Sequence, residues 1–343
     1  MAGDSFERRR DLQRFLMASE RTLPDFLEAR RRPVATDSTH APVTIGFRIK
    51  GPAGTTRFAV SLNGSEAILN TSGEPPVDRD VACTQEEFEA LLAGRSELLG
   101  PFWDRHLPPD YSFAPSLYAF LFPDHPYRDL NPVLRDLYHT SRYYPTVTPF
   151  PQGHILHCIV LEHGLDLTLE IGLAFGGSAL FICNAHQRKG TGHHYAVDPF
   201  QIHSFDGVGL RLIRKAELGA YFQWLPTTAQ VALPALSATG ITFDLIYMDG
   251  DHGVTAVLSD FLHANALLKT GGFLALDDSH FPSGLRVLRV IRRHFRYQAI
   301  TDRSTDRLTV LRKISHADGP AALRMLTAVC RGAMNLWNLG MAG

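Results

Sequence analysis

The feature that most constrains this chain is an alternation of apolar strand-like runs with helical patterns over roughly residues 150–312. Seven candidate strands lie at 166–171, 194–198, 221–225, 243–248, 272–277, 297–301 and 307–312. Apolar residues at helical spacing fill most of the intervals, at about 153–164, 177–187, 208–219, 228–239, 254–268 and 283–295. Such alternation predicts an α/β fold with a mainly parallel sheet covered on both faces. Ligands are then expected at the carboxyl ends of the strands.

The first 122 residues follow a different pattern, which predicts a smaller α+β domain. VTIGFRIKG (43–51) alternates like a strand, and TRFAVSLNGSEAILN (56–70) predicts two strands around Asn63-Gly64, residues that tolerate positive φ. TQEEFEALLAG (84–94) predicts a helix with a capping box, in which Thr84 and Glu87 cap each other's backbone N–H groups. A charged helical segment over 5–32 precedes these elements. Two domains also suit a chain of 343 residues.

Three segments of this region resemble a sterol-carrier-protein-2-like domain: TRFAVSLNGSEAIL, DRDVACTQEEFEALLAGR and PFWDRHLPPDYSFAPSLYAFLF. The resemblance implies paired strands, a short strand that leads into a capped helix, and a final apolar helix around a lipid-sized tunnel. PPDYSFAP replaces the charged segment that usually precedes the last helix in that family. Two interpretations remain open, a lipid carrier and a module that shapes the substrate site or joins subunits.

The domain boundaries follow from composition. FPDHPYRDLNP (122–132) contains three prolines and predicts a linker. The accessory domain is therefore placed at 1–122, a linker and substrate-side segment at 123–150, and the α/β domain at 151–314. Residues 315–343 carry apolar side chains at helical spacing and predict a C-terminal docking or subunit-contact helix, which suggests a homo-oligomer, a dimer or a tetramer.

Charge and cysteine content exclude several classes. The net charge of −1 gives no overall attraction to nucleic acid or to anionic membranes. The four cysteines include no CxxC pair and suggest neither a zinc site nor a disulfide framework. The charged N-terminus lacks a signal-peptide core, and no uncharged run reaches the roughly 18–20 residues of a membrane span. We therefore expect a cytoplasmic protein that acts on a small molecule.

A glycine-rich turn follows the first strand of the α/β region, in EIGLAFGGSAL. The spacing of Gly172 and Gly176 is looser than the dinucleotide fingerprint, and the turn lacks a P-loop lysine. Asp198 ends the next strand, where its carboxylate is expected to accept hydrogen bonds from two ribose hydroxyls. Glu170, at the end of the first strand, is placed to receive a cationic amino group. Together these residues predict a nucleoside ligand whose tail is small and lacks pyrophosphate.

Acidic residues end two later strands, in YMDGDH and LALDDSH. Neighbouring strands lie about 4.8 Å apart, so Asp249, Asp277 and Asp278 are expected to converge. Three carboxylates in a half-buried cleft repel one another, and a divalent cation removes that repulsion. All-oxygen ligands favour Mg²⁺ over zinc. In the alternative interpretation, Asp249 orders a loop and one aspartate of the pair faces solvent.

EIGLAFGGSAL, YAVDPFQ and FDLIYMDGDHGVTAVLSDFLHANALLKTGGFLALDD together resemble a class I S-adenosylmethionine-dependent methyltransferase over roughly 150–312. They are most similar to the branch with the metal-dependent macrolide-sugar O-methyltransferases. The resemblance implies a Rossmann-like, seven-stranded sheet. It also implies a cofactor site lined by Glu170, Gly172, Gly176, Ser178, Asp198 and Asp249. The metal ligands would be Asp249, Asp277 and Asp278, although the first residue of the pair is often Glu in that branch.

The same resemblance implies that His252 is the general base, beside Asp249 at the catalytic edge. An imidazole with a pKa of about 6.5 can take a proton from an activated hydroxyl at neutral pH. His280 is a second candidate. The expected substrate is a small molecule with neighbouring hydroxyls, such as a natural-product sugar or a catechol-like ring. Two alternatives stay open: recruitment of the fold for cyclisation or isomerisation, and a lipid- or polyketide-binding protein with an inactive methyltransferase domain.

Overall fold

The computed structural model describes residues 22–29, 34–35, 43–63, 66–72, 76–92, 117, 120–121, 127–139, 146–305 and 307–315. Three predicted elements therefore lie largely outside the described residues. These are the start of the N-terminal helix, the final apolar helix of the first region and the C-terminal helix.

The N-terminal region forms a sheet of five strands in the order β1-β4-β3-β2-β5. The strands are β1 (Val34–Ala35), β2 (Val43–Gly51), β3 (Gly54–Asn63), β4 (Glu66–Asn70) and β5 (Arg79–Thr84). β2, β3 and β4 pair antiparallel, and Asn63 stands opposite Glu66, so the two strands predicted around this turn are present. β5 runs parallel to β2 and leads directly into a helix.

Two helices of this region are described, α1 (Leu23–Ala29) and α2 (Gln85–Leu92). The Thr84 N–H donates to Glu87 Oε2 at 2.8 Å, and the Glu87 N–H donates to Thr84 Oγ1 at 3.1 Å. This reciprocal pair is the predicted capping box, which satisfies two backbone donors at the start of α2.

Five phenylalanines form the interior of the N-terminal region. Phe26, Phe47, Phe58, Phe88 and Phe120 are at most 5% exposed, and the rings in contact lie 4.8–6.1 Å apart. Most of these contacts are tilted or edge-to-face, the arrangements that aromatic quadrupoles favour. In the part of the region that the structure describes, the interior is thus a packed aromatic core where the family resemblance implied a lipid-sized tunnel.

The larger sheet has seven strands in the order β11-β12-β10-β9-β6-β7-β8. They are β6 (Leu167–Ile171), β7 (His193–Val197), β8 (Phe222–Leu225), β9 (Phe243–Met248), β10 (Leu268–Leu276), β11 (Tyr297–Ala299) and β12 (Thr309–Lys313). β12 is antiparallel to both of its neighbours, and the pairs from β8 across to β10 are parallel. The predicted Rossmann-like, seven-stranded α/β sheet is confirmed. Its strand order reverses between β6 and β9.

Helices cover both faces of this sheet. They are α3 (Asn131–His139), α4 (Phe150–Glu162), α5 (Gly177–Lys189), α6 (Val208–Lys215), α7 (Ala229–Ala238), α8 (Val254–Leu267) and α9 (Pro282–His294). Apolar residues of α4 and α5 pack on one face, and those of α7, α8 and α9 pack on the other. None of the described helices has the length and apolar character needed to cross a membrane.

The structure differs from the predicted linker. Tyr127 is fully buried, its hydroxyl lies 3.0 Å from His154 Nδ1, and its ring packs on Phe181. α3 follows, with Pro132 as its second residue. Proline in the first turn of a helix removes no intrahelical hydrogen bond, so Pro132 is compatible with a helix start. Residues 127–139 therefore belong to the packed α/β region.

Replacing Phe88 by Ala should lower the free energy of unfolding by about 3–5 kcal/mol, because the ring is fully buried among three other phenylalanines. Urea denaturation followed by tryptophan fluorescence and circular dichroism measures this change. Glu86→Gln, at an exposed position on the same helix, is the matched control and should change stability by less than about 1 kcal/mol. Equal stabilities for Phe88→Ala and the control would contradict the packed aromatic core.

Candidate functional site

The glycine turn after β6 lies against other parts of the chain. Gly172 has φ +92°, and a Cβ there would lie 2.1 Å from the carbonyl oxygen of Asp249. Gly176 has φ +80° at the start of α5, and a Cβ there would lie 2.9 Å from the Cα of Gly209. Both positions therefore require glycine for conformation and for space. The turn therefore packs closely on the protein itself, with Gly172 against the end of β9 and Gly176 against the first turn of α6.

Asp198 lies beside this turn at the predicted edge of the sheet and is 3% exposed. Its Oδ2 accepts hydrogen bonds from the backbone N–H groups of Leu173 and Ala174, at 3.1 and 2.9 Å, and from Gln201 Nε2 at 3.0 Å. Its Oδ1 accepts from the Phe200 N–H at 2.6 Å. The carboxylate predicted to bind a ribose thus holds the backbone of the turn in this structure.

Glu170 and Ser178, both predicted cofactor residues, are brought together. Ser178 Oγ donates to Glu170 Oε2 at 2.5 Å, which joins the end of β6 to the first turn of α5. Glu170 Oε1 lies 3.4 Å from His194 Nε2, and the side chains of both residues are fully buried. Glu170 therefore supports the glycine turn from within the protein and has no surface that faces solvent.

The three aspartates converge as predicted. Asp249, Asp277 and Asp278 each offer a carboxylate oxygen, and these atoms all lie within 4.8 Å of one another. The pairing of β9 with β10 explains the convergence, because Met248 stands opposite Leu276 and both acidic segments begin at the next residue. Asp278 has φ +47°, an uncommon conformation that aspartate tolerates better than most residues.

Each aspartate accepts a hydrogen bond from a residue that sequence analysis missed. The Tyr247 hydroxyl donates to Asp249 at 3.1 Å, Gln152 Nε2 to Asp277 at 2.7 Å, and Arg307 Nη2 to Asp278 at 2.8 Å. Strand alternation places Tyr247 on the same face as Asp249, so this signal was available. Gln152 on α4 and Arg307 before β12 are remote in sequence, and no local pattern identifies them. Each of these donors holds one oxygen of its carboxylate in place.

The electrostatics of the cluster favour a cation. Desolvation by burial raises the pKa of Asp249 well above its usual range, and the charge of Asp277 raises it further. Burial also raises the pKa of Asp277, while the guanidinium of Arg307 acts in the opposite direction. A carboxylate whose charged form is disfavoured in this way gains most from a nearby positive ion. The carboxylate oxygens of Asp249, Asp277 and Asp278 resemble the oxygen-rich ligand sets of Mg²⁺.

His252 lies at the rim of the same cleft, with a side chain that is 60% exposed. Its Nδ1 is 3.7 Å from Asp278 Oδ2, and its ring lies edge-on to Phe281 at 6.0 Å. His280 is exposed, packs against Phe281 at 4.3 Å and is not among the residues that line the cleft. The structure thus places His252, and not His280, beside the acidic cluster.

Asp260 on α8 is a further acidic residue of the cleft that sequence analysis missed. It is 5% exposed and accepts a hydrogen bond from Gln230 Nε2 at 3.0 Å. Burial raises its pKa to about 7, and Asp251 contributes to the shift. Its sequence signal was a charged residue between Val257 and Phe261, on the apolar side of a helix, where unpaired aspartate is rare.

Residues 169–279 match the family model described as "Methyltransferase domain". This span is about a third of the chain and contains every predicted site residue from Glu170 to Asp278. The match confirms that this part of the chain is a methyltransferase domain. No curated protein matches the chain.

Several solved structures are similar to the chain. An O-methyltransferase from Bacillus cereus in complex with SAH is 17% identical, with 54% of this chain and 89% of that chain covered and a TM-score of 0.45. The O-methyltransferase TomG from Streptomyces achromogenes is 18% identical, with coverage of 55% and 90% and a TM-score of 0.45. The SAH-bound methyltransferase PaMTH1 from Podospora anserina is 16% identical, with coverage of 61% and 98% and a TM-score of 0.46. Values this low indicate only a distant likeness.

Asp249→Asn should raise the melting temperature at pH 7.5, in EDTA, by roughly 2–4 °C, the shift that about 1 kcal/mol gives in a domain of this size. Folding raises the pKa of Asp249 above its unfolded value near 4, so the folded state holds the extra proton. The free energy of unfolding therefore falls as the pH rises from the pKa of Asp249 in the unfolded chain towards its higher pKa in the folded protein. Asparagine does not titrate, so the variant avoids this loss of stability.

Differential scanning calorimetry between pH 4 and pH 8 measures this effect, and the advantage of Asp249→Asn should disappear near pH 4. Glu217→Gln, at an exposed carboxylate remote from the acidic cluster, is the control. A lower melting temperature for Asp249→Asn at pH 7.5 would show that the Asp249 carboxylate stabilises the fold.

Proposed function

We propose that the chain is an S-adenosylmethionine-dependent O-methyltransferase that acts on a hydroxyl of a small molecule and uses Mg²⁺. The observation that carries this proposal is the convergence of Asp249, Asp277 and Asp278 with His252 in one cleft of a methyltransferase domain. The acidic cluster gives the domain a means of activating an oxygen, which a cofactor site alone would not provide.

The cofactor would occupy the carboxyl ends of β6 and β7. S-adenosylmethionine supplies an activated methyl group on a positively charged sulfur. Asp198 keeps the turn at Leu173 and Ala174 in place, and Glu170 anchors that turn to α5 through Ser178. Burial disfavours the charged form of Asp249, at the end of the neighbouring strand β9, and a cationic ligand would stabilise that form.

The donor set fits a divalent cation. Asp249, Asp277 and Asp278 would hold it, while Tyr247, Gln152 and Arg307 orient the three carboxylates. Mg²⁺ bound there supplies positive charge that lowers the pKa of a substrate hydroxyl. Without an ion, Arg307 offsets part of the charge of Asp277 and Asp278.

His252 is the proposed general base. Its Nδ1 faces Asp278 Oδ2, so a proton on Nδ1 interacts favourably with the carboxylate and leaves the lone pair on Nε2. The exposed side chain can reach a substrate hydroxyl in the cleft without leaving the acidic cluster. Asp278 would thus set the ring tautomer and orientation.

The rim of the cleft suggests the class of substrate. Phe281 is 40% exposed beside His252, and Leu285 is 45% exposed one turn further along α9. An apolar wall next to a carboxylate cluster suits a ring that carries two adjacent hydroxyls, such as a catechol or a sugar on a natural product. Two neighbouring oxygens would fix the ring while one of them is methylated.

Asp198→Ala should weaken binding of S-adenosylhomocysteine by at least about tenfold, because three backbone N–H groups around the turn lose their acceptor. Isothermal titration calorimetry measures the affinity, and Asp166→Ala serves as the control. An unchanged affinity in Asp198→Ala would refute its role at the cofactor site. Absence of binding in the wild-type protein would refute the proposed cofactor.

Asp278→Asn and His252→Gln should separate metal binding from proton transfer. Asp278→Asn is expected to bind Mn²⁺, used as a probe for Mg²⁺, at least about tenfold more weakly than wild type, because one charged ligand is lost. His252→Gln should keep Mn²⁺ and S-adenosylhomocysteine binding but transfer methyl groups at least about 100-fold more slowly.

Electron paramagnetic resonance of Mn²⁺ measures the first effect, and transfer of a radiolabelled methyl group to a panel of catechols and methyl glycosides measures the second. Full activity in EDTA would exclude the metal, and normal turnover in His252→Gln would exclude His252 as the base. His280→Gln is the matched control and should behave as wild type.

A further inference from the structure

Beneath the glycine turn, a row of buried polar side chains crosses from α5 through β6 to β7. His186 Nε2 lies 2.9 Å from Thr168 Oγ1, and Thr168 Oγ1 lies 3.0 Å from His194 Nδ1. His194 Nε2 then faces Glu170 Oε1 at 3.4 Å, and Ser178 binds the other oxygen of Glu170. The side chains in this row from His186 to Glu170 are fully buried, so water cannot satisfy their polar groups.

We propose that His194 is a positioning residue for Glu170, and that hydrogen bonds running one way from His186 through Thr168 to His194 direct the His194 Nε2–H at the Glu170 carboxylate. The sequence pattern places His193 and His194 at the start of the strand predicted at 194–198 and predicts surface positions for both, whereas His194 is fully buried. The expected effect on cofactor binding rests on the proposed function. The direction of the hydrogen bonds is independent of that function.

The single hydroxyl proton of Thr168 sets the direction. The carbonyl oxygen of His193 is a third acceptor at 3.4 Å, but donation to it would put the proton of His194 on Nδ1, as in the second of the two arrangements below, and the ring nitrogens lie closer to Thr168 Oγ1. In one, His186 donates from Nε2, Thr168 donates to His194 Nδ1, and His194 keeps its proton on Nε2. In the other, each donation is reversed, and both rings carry their proton on Nδ1. The two arrangements differ in what they leave unpaired at the two ends of the row.

Both ends of the row favour the first arrangement. His186 Nδ1 is buried and makes no hydrogen bond among the described residues. A proton on that atom would be a buried, unpaired N–H, which proteins avoid more strongly than an unpaired acceptor. At the other end, a proton on His194 Nδ1 would leave two lone pairs, of His194 Nε2 and Glu170 Oε1, facing each other. Burial also lowers the pKa of His186 to about 3, so the ring is neutral and has one proton to place.

The consequence is a Glu170 carboxylate with a donor on each side. Ser178 Oγ donates to Oε2 at 2.5 Å, and the His194 Nε2–H points at Oε1 across 3.4 Å, a contact that falls short of a hydrogen bond in this structure. This matters because the charge of Glu170 acts on other titratable groups. Burial raises the pKa of Asp249 and Tyr247 on the side of β9 and of Cys183 on α5, and the charge of Glu170 raises each of them further. A buried carboxylate beside Asp249 is stable only with donors of its own. Loss of His194 should therefore disturb Glu170, and through Ser178 the first turn of α5.

Nitrogen NMR of histidine-labelled protein tests the direction. The signals of His186 and His194 are assigned by comparison with His186→Gln and His194→Gln. At pH 7.5 both rings should be neutral with the proton on Nε2. A proton on Nδ1 of either ring, or a doubly protonated His194, would overturn the one-way arrangement. This measurement needs no cofactor and stands even if the proposed function fails.

Calorimetry with S-adenosylhomocysteine tests the positioning role. His194→Leu should bind at least about tenfold more weakly than wild type, because Glu170 loses a donor, while His194→Gln, whose amide can donate in the place of Nε2, should stay within about threefold. In a Glu170→Gln background the same His194→Leu change should cost less than about threefold, since a neutral amide has less need of the donor. His193→Gln, on the same strand, is the matched control.

Two results would overturn the positioning role. One is wild-type affinity in His194→Leu. The other is an equal loss in the wild-type and Glu170→Gln backgrounds, which would mark a merely structural effect. If His194→Leu does not fold, weak binding by the folded His194→Gln protein overturns the role, and wild-type binding supports it together with the NMR result. A wild-type protein that binds no S-adenosylhomocysteine refutes the proposed function instead.

Discussion

The register of the central parallel strands is the constraint on which the rest of the site depends. Backbone hydrogen bonds continue past the strand ends, from the Asp249 N–H to Ile171 O at 2.9 Å and from the Asp277 N–H to Met248 O at 3.0 Å. These bonds bring the acidic ends of β9 and β10 together beside the glycine turn. A shift of one residue in either strand would turn Asp249 or Asp277 towards the opposite face.

The site concentrates groups that burial disfavours. Asp249 and Asp277 have raised pKa values, and Glu170 lies fully buried nearby. The surrounding protein compensates with fixed donors, each from a different element of the fold. Tyr247 comes from β9, Gln152 from α4 and Arg307 from the segment before β12. Such an arrangement is stable only when the whole sheet and its helices are assembled, which ties the chemistry of the cleft to the integrity of the fold.

Local sequence patterns predicted the strands of the larger sheet well but missed or placed too late three helix starts, each near a proline. The strand at Phe243–Met248 begins and ends as predicted, and the other six strands of the larger sheet overlap their predicted ranges. The sequence predicts a linker at Pro132 and helices that begin only after Pro151 and Pro282. In the structure, all three prolines lie in the first turn of a helix. A proline there removes no intrahelical bond, so its sequence signal is the same for a helix start as for a linker.

The sequence by itself determined the α/β sheet, the glycine turn and the acidic residues at the strand ends, because periodicity and strand termini are local properties. It also identified Asp249, Asp277 and Asp278 as a group, since parallel strands share an edge. Only the tertiary structure decided what these residues touch. The attachment of Asp198 to the turn, the pairing of Asp277 with Gln152 and the approach of His194 to Glu170 depend on how whole elements pack. Side-chain contacts between distant segments leave no periodic signal in the chain, so they emerge only when the sheet and its helices are assembled.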